Sequence, residues 1–224
     1  MKIKRIIMSL SGVIITAISV GAFKFAAFGV DPFQSFMSGI DTVIPLDFGT
    51  LYVVVNAALL LFAVCFDRHY MGIATIMNLF LLGYVADWSQ SILNILFPAP
   101  DFAIRIISFL FGFIFLCFGS SLYLTADMGV STYDAIALIF ANNWKLGKFK
   151  TVRIISDFAC IALGLTMYVW GNRSIHGISA IVGFGTIVTA FCMGPLIDWI
   201  NRKISGPLLK NSYTDHSNTQ NMPC

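Results

Sequence analysis

Gly29-Val30-Asp31-Pro32-Phe33-Gln34-Ser35-Phe36 is answered one hundred positions later by Gly129-Val130-Ser131-Thr132-Tyr133-Asp134-Ala135-Ile136. Each copy carries a glycine, a helix-capping residue (Asp31 or Ser131), an aromatic residue and then a polar one. Each lies between long apolar segments. The surroundings repeat as well. Phe48-x-Thr50 matches Phe149-x-Thr151, and Asn56 falls opposite Asp157. Gly72-x-x-Thr75-Ile76 matches Gly183-x-x-Thr186-Ile187, and Gly83-x-x-x-Asp87-Trp88 matches Gly194-x-x-x-Asp198-Trp199.

Composition names the solvent of these segments. Hydrophobic residues make up 58% of the 224 and charged residues 11%, with a mean hydropathy of +0.83. A soluble domain carries about 25% charged residues, so this chain cannot cover itself with polar surface. Several runs reach the ~20 apolar residues that a bilayer crossing needs. They do not alternate as barrel strands would. The reading is an all-α membrane protein with spans at about 6–28, 48–66, 70–88 (extending towards 97), 102–126, 149–170 and 175–200. Pro98 and Pro100 force a break between the third and fourth. Lys2, Lys4 and Arg5 precede a first segment that is long and lacks a small-x-small cleavage site, so it is expected to stay as a span.

Three spans per half invert the second half relative to the first. The expected architecture is two inverted three-helix repeats, 1–100 and 101–204, followed by a disordered cytoplasmic tail, 205–224. This is a plan used by many secondary transporters, with sites near the bilayer midplane. Lys and Arg crowd the N-terminus, Arg68, the 145–153 stretch and 202–210, while the opposite loops hold Arg105, Arg173 and, near a span end, Lys24. By the positive-inside rule both termini are cytoplasmic, and the location is a bacterial plasma membrane.

The linking stretches should each form a short helix. In the first, Phe33, Phe36, Met37, Ile40, Val43 and Ile44 share a face; in the second, Tyr133, Ile136, Phe140 and Trp144 do. Gly29 and Gly129 are the corner turns. About three turns cannot cross ~30 Å of hydrocarbon, so each helix is either interfacial or re-entrant. An interfacial helix needs no ligand. A re-entrant one would present its N-terminus to an anion.

Arg153 and Asp157 share a helix face at i,i+4 spacing, about 12 Å into the bilayer for the acid. They form either a self-neutralising pair or a coupling carboxylate with its partner or substrate clamp. Asn56 is the neutral counterpart in the first half. Asp31, Gln34 and Asp134 lie at the two corners, and mid-span Asn78 either lines a pathway or bonds a neighbouring helix. Asp87-Trp88 and Asp198-Trp199 read as wet interfacial anchors, and Lys24 as a snorkelling side chain.

No P-loop, Rossmann, zincin or nucleophile-elbow motif is present, so no enzyme and no cofactor are expected. The five cysteines stand singly, and His69, His176 and His216 are far apart, which suggests no metal site or disulfide framework. Nucleic-acid binding has no support. The partners expected are the lipid bilayer, a small-molecule substrate and, as an option, further copies of the chain.

The two glycine corners, the Lys150–Asp157 stretch with Arg153 and the Gly-x-x-Thr repeats resemble the YczE/YitT-like bacterial integral membrane proteins over about residues 6–200. The resemblance implies a plasma-membrane location and brings no settled substrate. Thr132 departs from the proline usual there. Two functions follow: a permease for a small solute, proton- or ion-coupled through Asp157, or a non-transporting accessory protein acting through a partner.

Overall fold

The computed structural model of the chain describes residues 2–147, 149–172 and 177–209. The described residues are helical, without strand. In order they are α1 (Lys2–Ala26), α2 (Pro32–Asp41), α3 (Phe48–Phe66), α4 (Ile73–Leu96), α5 (Phe102–Ala126), α6 (Thr132–Leu138), α7 (Phe149–Asn172), α8 (Ile178–Ile181) and α9 (Phe184–Ile200). A π-helical turn extends α6 to Asn143. Six of these helices, α1, α3, α4, α5, α7 and α9, are long and apolar enough to cross a membrane.

The last helix differs from expectation at both ends. It begins afresh at Phe184, because Gly183 is extended and its amide turns to Thr186 Oγ1 at 3.3 Å. Beyond Ile200 the chain stays helical to Leu209, so 205–209 is helix rather than disordered tail. The remainder of that tail, 210–224, lies outside the described residues, as do Lys148, Arg173 and His176.

α1 and α5 form the central pair, crossing at small residues. A Cβ on Gly12 would stand 2.7 Å from the Gly119 carbonyl, and one on Gly112 would stand 3.1 Å from the Ser19 carbonyl. The contacts are reciprocal, since 12 and 112 occupy matching places, as do 19 and 119.

Reciprocity holds at the corners. Gly29 and Gly129 take positive φ, +98° and +111°, where a side chain is strained. The Phe28 carbonyl accepts from Gly185 N at 2.8 Å, and the Met128 carbonyl accepts from Ala74 N at 3.0 Å. Val30 N donates to Ile181 O, and Val130 N to Tyr70 O, each at 3.2 Å. Each corner is thus tied by backbone to the start of a long helix in the opposite half.

α2 is packed inside the bundle. Seven of its ten residues are buried, Gln34, Ser35 and Gly39 among them. It lies on α7 with Gly39 backbone against Gly164, where a side chain on either would clash. An interfacial helix keeps a polar face wet, and α2 does not. It ends at Asp41, so Val43 and Ile44 fall beyond it and are exposed. On α6 the buried residues are Thr132, Ala135 and Ala137, with Ala135 and the following Ile139 set against Ala63 of α3. Tyr133, Ile136 and Phe140 are only partly buried, and Trp144 is exposed. The buried face of α6 is therefore rotated away from the one expected, because small residues let the helix sit close against α3.

Lys24 does not snorkel. Its side chain is only 13% exposed and pairs with Asp87 at 3.3 Å, with the ammonium over the Phe48 ring. Asp87 also accepts from Gly49 N at 3.0 Å. It is therefore a three-helix tie rather than a wet anchor.

A charged cluster where two short helices meet

The N-terminal ends of α2 and α6 face one another in the middle of the bundle. Each end is capped from its own chain. Asp31 Oδ1 accepts from Phe33 N and Gln34 N, both at 3.1 Å, and Pro32 at the first helical position gives up no hydrogen bond there. Ser131 Oγ accepts from Asp134 N at 3.1 Å and donates to the Asp134 carboxylate at 2.7 Å. The second residues of the two helices stack, Phe33 on Tyr133, with ring centroids 4.9 Å apart.

Arg153, rising from α7, is the cation of the cluster. Its Nη1 pairs with Asp134 Oδ1, and its Nε lies 3.2 Å from Asp157 Oδ1. Its guanidinium carbon sits 4.3 Å from the Tyr133 ring centre, a cation–π contact. Tyr133 OH donates to Asp157 at 2.7 Å, and Tyr123 OH donates to Asp134 at 3.2 Å. Both carboxylates thus hold the guanidinium and a phenol at once, the charge-assisted arrangement that makes hydrogen bonds strong.

The matching part of the first half is neutral. The offset that sets Asn56 opposite Asp157 sets Tyr52 opposite Arg153, and Gln34 stands opposite Asp134. Thr132 Oγ1 donates to Asn56 Oδ1, while Asn56 Nδ2 donates to the Tyr52 carbonyl at 2.9 Å. Tyr52 OH donates to Asn78 Oδ1 at 3.2 Å. Asn78 therefore bonds across helices, one of its two expected roles, and reaches the centre through Tyr52. Gln34 is 4% exposed, and its Oε1 has no partner among the described residues.

Asp31 lies in the connection between the first two spanning helices. Burial pushes its carboxyl up to about 6. The amides of Gln34 and Phe33 and the charge of Arg153 oppose that shift, and Asp157 adds to it. At the α2 N-terminus the Phe33 and Gln34 amides are taken by the Asp31 carboxylate. Three carboxylates around one guanidinium disfavour a further negative charge. Among the described residues no three His, Cys, Asp or Glu side chains group as a metal site.

Arg153, Asp157 and Asp134 are in direct contact, Asn56 joins through Thr132, and Asp31 faces them. Gln34 is buried but makes no side-chain bond to the cluster. Tyr52, Tyr123 and Ser131 bond within this network too, although the sequence does not mark them as site residues. The repeat alignment places Tyr52 opposite Arg153, and that is the signal available for it.

Six membrane-length apolar helices around a partly buried Arg–Asp cluster define a multi-pass helical membrane protein. The chain belongs to the family of unknown function DUF6198, whose profile matches residues 3–202. It is also 23% identical over 191 residues to the uncharacterized membrane protein YczE of Bacillus subtilis (strain 168), covering 84% of this chain and 80% of that protein. This similarity bears on the YczE part of the resemblance and not specifically on YitT. No solved structure matches.

Proposed function

We propose that the protein is a bacterial plasma-membrane permease for a small neutral or cationic solute. Its two inverted halves enclose the Arg153 cluster, and proton or cation coupling runs through the cluster carboxylates, Asp157 included. The observation that carries this reading is an ion network of one guanidinium and two carboxylates where the two short helices α2 and α6 meet. Asp157 is the ninth residue of α7, inside a membrane-length helix where an ionisable group is costly and a functional candidate by default. The reciprocal corner contacts support an inverted repeat with α2 and α6 re-entrant. The Lys and Arg bias supports cytoplasmic termini, and reporter fusions at each end test that orientation.

One observation favours a non-transporting accessory instead: Arg153 is satisfied by its two neighbours, so the network could serve as a strut. The two readings separate in one experiment. Purified protein is screened by thermal shift against pools of metabolites and ions, with Asp157→Asn in parallel, and hits go to flux assays in proteoliposomes. A ligand that binds the folded form raises its melting temperature by mass action. A hit lost in Asp157→Asn, with flux in wild type only, supports the permease. A variant that merely melts earlier, with no hit and no flux, supports the accessory.

A further inference from the structure

We infer that Asp31 is the proton-binding group of this site, and that its charge decides whether the α2 end of the first half is drawn electrostatically to Arg153 of the second. The inference rests on the reading of the cluster as a coupled site, and it names the coupling group.

The three central carboxylates are not equivalent. Asp157 is held by Arg153 Nε and by the Tyr133 hydroxyl. Asp134 is held by Arg153 and by the hydroxyls of Ser131 and Tyr123. A proton on either displaces a guanidinium contact and weakens bonds from O–H donors. Asp31 has no Lys or Arg nitrogen within ion-pair distance among the described residues. Both of its amide bonds fall on one oxygen, Oδ1. Oδ2 has no partner among the described residues, so a proton can settle there without breaking any hydrogen bond.

The repeat supplies an internal control. At the position matching Asp31, Ser131 caps its helix with a neutral hydroxyl. Capping alone therefore does not call for a carboxylate. A half-buried charge lacking a close counterion carries a desolvation cost that the cap itself does not require, which points to use of the charge.

The groups facing Asp31 are Arg153, Asp157 and Cys160 from α7 and Tyr52 from α3. Tyr133 and Asp134 of α6 stand just behind Arg153. α8 brings no charged residue. With Asp31 ionised, its charge acts on Arg153 through space while Arg153 stays paired with Asp134 and Asp157. With a proton taken from water onto Oδ2, Arg153 belongs to Asp134 and Asp157 alone. Burial places this change near neutral pH.

The test is infrared difference spectroscopy on the full chain in lipid vesicles, stepped between about pH 7 and about pH 5, a window above the ordinary carboxylate range. Wild type should gain a protonated-carboxyl C=O band. Asp31→Asn and Asp31→Ser should lose most of it, the serine variant keeping the cap as Ser131 does. Asp157→Asn should retain it. A band that survives in both Asp31 variants, or no band in wild type, overturns the inference. The readout needs no transported solute. Absent flux beside an intact Asp31 band would count against the permease reading and leave the proton site standing.

Discussion

Phe33 and Tyr133, stacked with centroids 4.9 Å apart, occupy the same position in the two halves of the chain. A residue that touches its own repeat counterpart lies where the halves are related, so this stack marks their meeting point. On one side of it the bonding residues are neutral, Tyr52 and Asn56; on the other they are Arg153 and Asp157. Matching sequence positions thus carry different chemistry on the two sides of the stack.

Removing the guanidinium isolates two carboxylates. Arg153→Gln should lower stability by about 2–3 kcal/mol, less than the loss for a fully buried pair because these side chains remain about a quarter exposed. Arg153→Lys should recover only part, since an ammonium lacks the planar fork that reaches both acids. Adding Asp157→Asn to Arg153→Gln should restore some of the loss. Thermal unfolding in detergent, followed by tryptophan fluorescence, reads all four proteins, and equal melting of Arg153→Gln and wild type would refute the pairing.

The glycine corners make a graded prediction. At Gly29 the backbone has φ +98° and a Cβ would stand 2.5 Å from Gly183 N. Strain and overpacking together should cost Gly29→Ala about 2–4 kcal/mol. Gly147 also has positive φ but nothing within 4 Å, so Gly147→Ala should cost backbone strain alone, about 1–3 kcal/mol, without the overpacking. Melting temperatures of the two variants should fall in that order.

Lys24 and Asp87 should behave as a coupled pair. Lys24→Met and Asp87→Asn should each destabilise, and the double variant should lose less than the sum, with a coupling of about 1–2 kcal/mol for this partly buried contact. A strictly additive cycle would mean the pair contributes nothing.

Asp31 sets a pH trend whose sign is fixed. Its folded-state value of about 6 lies above the ordinary 3.8, so the folded protein holds this proton more tightly than the unfolded chain does. The stability it contributes is fully present below 3.8 and is lost as pH rises through about 6. Asp47 and Asp67, on exposed connections, are held below the ordinary value chiefly by the Thr50 and His69 amides. Their contribution is present above that value and disappears as pH falls through their own lowered values. Melting temperature should therefore decline between about pH 4 and about pH 6, and Asp31→Asn should reduce that decline, leaving the share of Asp41, whose carboxyl burial also raises, and the more acidic limb.

The spans are legible in the sequence because length and apolarity are one-dimensional properties. The Arg153–Asp157 contact is legible for a similar reason, as four residues make one helical turn. The join of Arg153 to Asp134 is not, because it depends on how α6 docks against α7. Lys24 misleads, since a lysine near a span end ordinarily reaches for water and nothing local announces Asp87 waiting on α4. The break at Gly183 has a tertiary cause as well: the chain opens there to receive the Phe28 carbonyl.

The reciprocal corners bear on biogenesis. While only the first hundred residues have left the ribosome, the Tyr70 carbonyl and the Val30 amide still lack the partners that Val130 and Ile181 will bring. A backbone group closed off from water without a partner is costly. The two corners therefore gain these bonds only when the first and second parts of the chain come together. A chain ending near residue 100 would leave the Tyr70 carbonyl and the Val30 amide without these partners, so the first hundred residues are not expected to hold the corner geometry by themselves.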